Sequence, residues 1–323
     1  MYLGYVSIVL HAHLPYVRHP ETDQCLEELW LMEAITETYL PLIEMMRGLV
    51  RDEVPFRLTM SITPTLAWML SDGYLQGRYA AHIDKLCELA EKEVHRTRHQ
   101  PKVQEVACRY LKQFRRARQL FEDCRHRLLD CFLELEKTGS LEIMASAATH
   151  GYLPLLFVNP KAVEAQVALG IDTYRHLFGK DPKGFWLPEC GFMPGIDEIL
   201  THHGISYVIL DSHGILHAEP RPRYSIFAPI YTPAGLAAFG RDWESSKQVW
   251  SAWEGYPGDY VYRDFYRDIG FDLDYDYIKP YLIDGIRGFT GIKYHRITGR
   301  DDYKEIYEPQ TASQRAADHA GNF

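Results

Sequence analysis

The stretch Gly184-Phe185-Trp186-Leu187-Pro188-Glu189-Cys190-Gly191-Phe192 sets one carboxylate at the end of a short apolar run, between aromatic residues. A carboxylate stripped of water in such a setting is a stronger electrostatic or nucleophilic partner than one on a surface. A ring-lined cleft around it suits a sugar, whose C–H faces stack on aromatics while its hydroxyls need fixed polar partners. Taken alone, Glu189 is equally well read as a buried structural hydrogen-bonding residue. Other polar turns in the chain raise the chemical reading. His11-Ala12-His13, Thr63, Thr149-His150, Asp211 and His295 each follow a strand-like run.

These runs require a scaffold. Tyr5–Leu10, Phe56–Ser61, Leu141–Ser146, Gly184–Leu187, Ile205–Leu210 and Gly288–Tyr294 read as six strands. Helical patterns separate them. One apolar face carries Leu26, Leu29, Trp30, Ile35, Tyr39, Leu42, Ile43 and Met46. Asn159-Pro160 opens another helix and Gly179 closes it. Strands alternating with helices predict a parallel sheet, most simply a (β/α) barrel, with chemistry at the C-terminal strand ends. Residues 82–138 interrupt the alternation with a helical stripe from Val103 to Phe132, read as a helical insertion. The predicted organisation is a first barrel segment over 1–81, the insertion over 82–138 and a second barrel segment over 139–323.

Composition narrows the partners. The 323 residues are 46% hydrophobic and 24% charged, normal for a globular protein with a full core. A net charge of −9 argues against nucleic acid or an anionic membrane as partner. The basic run at Arg115, Arg116 and Arg118 has helical spacing and reads as a solvated face. Six cysteines show no zinc or disulfide spacing, no run reaches the ~18 apolar residues of a membrane span, and Met1–Tyr5 carries no cationic leader. The expectation is a reduced, cytoplasmic protein.

The pair His11-x-His13 has two chemical readings: ligation of a metal, as in amidohydrolase barrels, or hydrogen bonds to substrate hydroxyls beside a carboxylate nucleophile. A pair of capping histidines is the structural alternative. Glu142 lies within a strand and reads as a buried structural residue ahead of a catalytic one. Asp211 is equally a substrate contact or a helix cap, and Trp250, in the loop with Arg241, is a stacking platform or a core residue.

The ordered set His11-Ala12-His13-Leu14-Pro15-Tyr16-Val17-Arg18, Ala148-Thr149-His150-Gly151-Tyr152 and Trp186-Leu187-Pro188-Glu189-Cys190 resembles the first three signature regions of glycoside hydrolase family 57. Gln248–Asp259 and Tyr266-Arg267-Asp268-Ile269-Gly270 are similar to its 1,4-α-glucan branching enzymes. The resemblance implies an α/β fold, an incomplete (β/α)7 barrel with a helical insertion, acting on α-1,4-glucan with no cofactor and no metal. It makes Glu189 the nucleophile of a retaining mechanism. His11, His13, His150, Trp186, Asp211, Arg241 and Trp250 become substrate contacts, with Trp186 and Trp250 stacking on sugars. α-Amylase and 4-α-glucanotransferase activities belong to the same family. The family's acid/base is an aspartate on a seventh barrel strand in a Trp-rich segment. Nothing after His295 matches it, Asp301, Asp302 and Asp318 lying in polar surroundings. The expectation is a chain lacking its last barrel strand and C-terminal helical domain, inactive by itself. The rivals are a metal-dependent amidohydrolase and a catalytically dead glucan-binding fragment.

Overall fold

A computed structural model describes residues 4–22, 24–299 and 303–323. Asp301 and Asp302 lie outside the described residues. The chain packs as two compact units, each assembled from separate stretches: 1–18, 42–75 and 127–243 form one, and 19–41, 76–126 and 244–323 the other.

The first unit holds an α/β fold. Its strands are β1 (Val9–Ala12), β2 (Leu58–Ile62), β3 (Leu141–Ser146), β4 (Gly184–Trp186), β5 (Tyr207–Leu210), β6 (Ile230–Tyr231) and β7 (Ala237–Gly240). They form one seven-stranded sheet in the order β1-β2-β3-β4-β5-β7-β6, parallel except for the β6–β7 pair. The parallel strands are short and apolar because helices cover them. Met60, Ile62, Ile143, Ala145, Phe185 and Val208 are buried. The helix Pro160–Phe178 begins and ends as its sequence predicts. Asn159 accepts from the Lys161 N–H, and Gly179 closes it at φ 69°.

Several expectations change. β1 starts at Val9 and not at Tyr5. The sixth parallel strand is Ala237–Gly240, just ahead of Arg241, where only a loop was expected. Its residues are Ala-Ala-Phe-Gly, too small and too few to give a strand signal, and the register with β5 (Leu210↔Gly240) supplies what propensity lacks. Gly288–Tyr294 is not a strand of this sheet. His295 sits in the second unit, in an isolated antiparallel bridge to Ile306. Glu142 is exposed and accepts a hydrogen bond from Tyr207.

The second unit is mainly helical, with Pro101–Asp123 and most of Gly73–Arg96 packed through Tyr79, Phe114 and Phe121. The stripe that read as one long helix to Phe132 breaks after Asp123. Arg125 and His126 turn the chain at φ 52° and 62°, and Leu128 starts a new helix in the first unit. Leu26 and Trp30, expected on a buried face, are exposed, whereas Leu31, Met32, Ile35 and Tyr39 are buried. A π turn at Ile35–Tyr39 adds a residue to the helical repeat and rotates the apolar face. Arg115 and Arg118 are exposed and paired with Glu91 and Asp84, as a solvated face should be. Glu93 is fully buried, but it is paired with Arg96 and accepts from the Tyr277 and Tyr294 hydroxyls. The six cysteines are thiols outside any disulfide, and among the described residues no helix is long and apolar enough to cross a membrane.

Candidate active site

In a strand, residues i and i+2 share a face. His11 of β1 is in register with Ser61 of β2, and His13 and Thr63 each follow one residue past the end of its strand. The pairing is realised in side chains: His11 Nδ1 lies 2.6 Å from Ser61 Oγ, and His13 Nδ1 lies 3.1 Å from Thr63 Oγ1. Ser146 ends β3 opposite Trp186 of β4 and donates to the Trp186 carbonyl at 2.9 Å.

The turn after β3 brings in His150. Gln166, on the helix Pro160–Phe178, fastens this turn three times. Its carbonyl accepts from the Ala148 N–H, its Oε1 accepts from the Thr149 N–H, and its Nε2 donates to Thr149 Oγ1. His150 then takes a left-handed backbone at φ 56°. This turns its imidazole over His13, with ring centroids 3.9 Å apart. His11 lies between His150 and Trp186, at 5.1 Å and 4.4 Å. The result is a stack of three imidazoles and one indole.

Glu189 belongs to a one-turn helix, Pro188–Cys190, that follows β4. Both Glu189 and Cys190 are left-handed, at φ 52° and 54°. Two consecutive non-glycine residues in that region are uncommon, and such strain is found where a side chain must be aimed. The turn lifts Glu189 out of the sheet end. Its side chain is 78% exposed, with Oε1 3.9 Å from His150 Nε2. The expectation of a desolvated carboxylate walled by aromatics is thus corrected. The wall consists of imidazoles, and Glu189 stands in front of it.

Trp186 is corrected too. It is 7% exposed, one face is covered by His11, and it packs with Met144, Cys190 and Ile209, so it supports His11 and offers no open face to a sugar. Asp211 acts as a cap, accepting from the Ser212 N–H at 2.7 Å. Arg241 follows β7, with its guanidinium 3.9 Å from Cys190 Sγ. Trp250 lies in the second unit, 85% exposed, at the end of the helix Trp243–Trp250. The structure therefore gathers His11, His13, His150, Trp186 and Glu189, with Arg241 beside Cys190. Sequence reading missed Ser61, Ser146 and Cys190. The first two were legible as hydroxyls on the same strand-end rows as the histidines.

The electrostatics keep the imidazoles neutral. Burial pulls His11 down to about 3, helped by the nearby His150, His13 and Arg241. Burial and then His13 take His150 to about 4. Burial lowers His13 as well, against the pull of Glu189. A histidine held below its ordinary value leaves stability untouched above about pH 6.5. As pH falls, the unfolded chain takes up protons that the folded site refuses, and stability is lost down to the folded value. His150, whose side chain is 4% exposed, should alone cost about 2 kcal/mol by pH 4.5. Calorimetry on wild type and His150→Asn at pH 7.5 and 4.5 checks this. The variant should lose less stability on acidification, and an equal loss contradicts the assignment.

The stacked rings do not aim three donor atoms at one point. Among the described residues, the one group of three potential ligands whose donor atoms lie within 4.8 Å of one another is His19, Cys25 and Glu27, in the second unit. The chelating reading of His11 and His13 therefore finds no convergent ligand set.

Residues 7–315 match the model of glycosyl hydrolase family 57. A 1,4-alpha-glucan branching enzyme of Thermococcus kodakarensis is 31% identical over 352 residues, covering 99% of this chain and 48% of that protein. Among solved structures, an alpha-amylase of Thermotoga maritima superposes with a TM-score of 0.94 at 48% identity, over 99% of this chain and 62% of its own. A branching enzyme of Pyrococcus horikoshii gives a TM-score of 0.85 at 32% identity, over 99% and 58%. The chain spans about half the length of the Thermococcus relative and about three-fifths of the two solved structures. From the ordered motifs, the seven-stranded sheet and the match along nearly all its length, the chain belongs to glycosyl hydrolase family 57.

Proposed function

We propose that the chain carries the nucleophile side of a retaining α-glucan active site, in a (β/α)7-type barrel interrupted by a helical insertion. Glu189 attacks the anomeric carbon and forms a glycosyl-enzyme intermediate. His11, His13 and His150 receive sugar hydroxyls, and Arg241 and Asp211 line the same strand ends. The observation that carries this reading is the position of Glu189, lifted on a strained turn beside a row of neutral imidazoles. Neutral imidazoles suit uncharged hydroxyls, and a carboxylate exposed in front of them is open to an approaching anomeric carbon. A retaining mechanism also needs a second carboxyl about 5–5.5 Å from the nucleophile. Six cysteines held as thiols support a reduced, cytoplasmic setting.

The activity proposed is 1,4-α-glucan branching, in which a glucan 6-hydroxyl replaces water as acceptor, consistent with a role in glycogen synthesis. The Gln248–Asp259 and Tyr266–Gly270 motifs support it. Hydrolysis is the second reading, favoured by the 48% identity to an alpha-amylase. Amylose incubated with the protein distinguishes them. Branching yields new α-1,6 links, seen as shorter chains after debranching, with few new reducing ends. Reducing ends rising without α-1,6 links would replace branching by hydrolysis.

A further inference from the structure

We infer that Ser146 is a positioning residue that locks His150 in the Nδ1–H tautomer, leaving Nε2 as a buried acceptor for the sugar hydroxyl next to the carbon that Glu189 attacks. The inference deepens the proposed function and rests on it only for the identity of the hydroxyl.

The tautomer follows from counting hydrogens. A hydroxyl has one proton to donate, and a carbonyl can only accept. Ser146 gives its proton to the Trp186 carbonyl at 2.9 Å. Its contact with His150 Nδ1 at 3.2 Å can then form only if the imidazole is the donor. Because burial keeps the ring neutral near pH 7, Nδ1 carries the one ring proton and Nε2 is a bare lone pair. The same count applies to His13. Thr65 donates to the Leu14 carbonyl at 2.9 Å, so Thr63 donates to Thr65, and Thr63 accepts from His13 Nδ1–H. Two stacked imidazoles thus present lone pairs at Nε2.

At His150 that lone pair has no protein partner. The side chain is 4% exposed, Nε2 is buried and unpaired, and Glu189 Oε1 lies 3.9 Å away. Two acceptors facing each other repel, and a buried unpaired acceptor is costly. A single hydroxyl donating to Nε2 supplies the missing partner and leaves Glu189 free to bond carbon. A sugar whose C1 lies against Glu189 offers the neighbouring 2-hydroxyl, and a hydrogen bond to that hydroxyl strengthens as the oxocarbenium-like transition state forms. Ser146 contributes by holding the proton on the far nitrogen. With the other tautomer, Nε2–H would donate to Glu189 and hold its oxygen away from the anomeric carbon.

Nitrogen-15 NMR of the histidine rings tests the tautomer without any turnover. In the wild-type chain at pH 7, His150 should show a protonated Nδ1 and an unprotonated Nε2. Ser146→Ala should admit the Nε2–H form, and Ser146→Thr should restore the wild-type pattern. The rate of fluoride release from α-maltosyl fluoride should fall about tenfold in Ser146→Ala and recover in Ser146→Thr. Replacing the reacting sugar by its 2-deoxy form should cost the wild type about tenfold more than it costs His150→Ala. A wild-type His150 protonated at Nε2, or a tautomer unchanged in Ser146→Ala, overturns the inference whatever Glu189 does. A correct tautomer with equal 2-deoxy sensitivity in the two proteins overturns the hydroxyl assignment.

Discussion

Glu189→Gln should abolish fluoride release from α-maltosyl fluoride, lowering it by about 10⁴- to 10⁶-fold, the usual loss when a covalent nucleophile is removed. The amide keeps the shape of the side chain and loses the charge that attacks. Because Glu189 is 78% exposed, stability should change by no more than about 0.5 kcal/mol. The combination is diagnostic: activity gone, thermal midpoint unmoved, maltose still bound. Activity within about tenfold of wild type would remove Glu189 from the nucleophile role.

Gly170→Ala should destabilise the protein, although alanine in a helix normally gains about 1 kcal/mol over glycine. A methyl at Gly170 would lie 2.1 Å from the Ser146 carbonyl oxygen and 3.2 Å from the Ala148 nitrogen. Both are backbone atoms, which cannot swing aside. The helix Pro160–Phe178 must back away from β3, an overpacking cost of up to about 3 kcal/mol that outweighs the propensity gain. The net change is a midpoint lower by several degrees. Retreat of the helix also loosens the Gln166 bonds that fasten the His150 turn, so fluoride release should fall in the folded protein. Gly77→Ala, in a helix with nothing within 4 Å of the added methyl, should raise the midpoint instead. Equal effects at the two positions would contradict the close-approach argument.

The parts of this architecture that were legible in the sequence are those where local pattern and tertiary demand agree. Leu141–Ser146 is a short, mostly apolar run that forms its strand, and Asn159-Pro160 with Gly179 brackets a helix, because capping chemistry acts over one turn. The rows His11/His13 and Glu189 were legible because strand ends in such folds gather polar residues. Features set by distant partners were not legible. Ala237–Gly240 becomes a strand only through pairing with β5, and Gly288–Tyr294, despite its apolar look, lies in the second unit, where Ile292 and Tyr294 are buried. The exposure of Glu189 escaped notice because it depends on two left-handed residues, which Pro-Glu-Cys does not announce. The burial of Trp186 under His11 likewise depends on which ring reaches it first.

Covalent bonding of Glu189 to the anomeric carbon of an α-glucosyl unit is the step on which the rest depends. A slow-turnover fluorosugar, a 5-fluoro-α-maltosyl fluoride, tests it most directly, since fluoride leaves without needing a proton from a second carboxyl. Attack by a Glu189 oxygen forms the ester bond to C1 as the C1–F bond breaks and fluoride departs with the electron pair. Digestion and mass spectrometry should find one fluorosugar residue on the peptide containing Glu189, and none in Glu189→Gln. Labelling at another residue, or no adduct in the folded wild-type protein, would contradict the account.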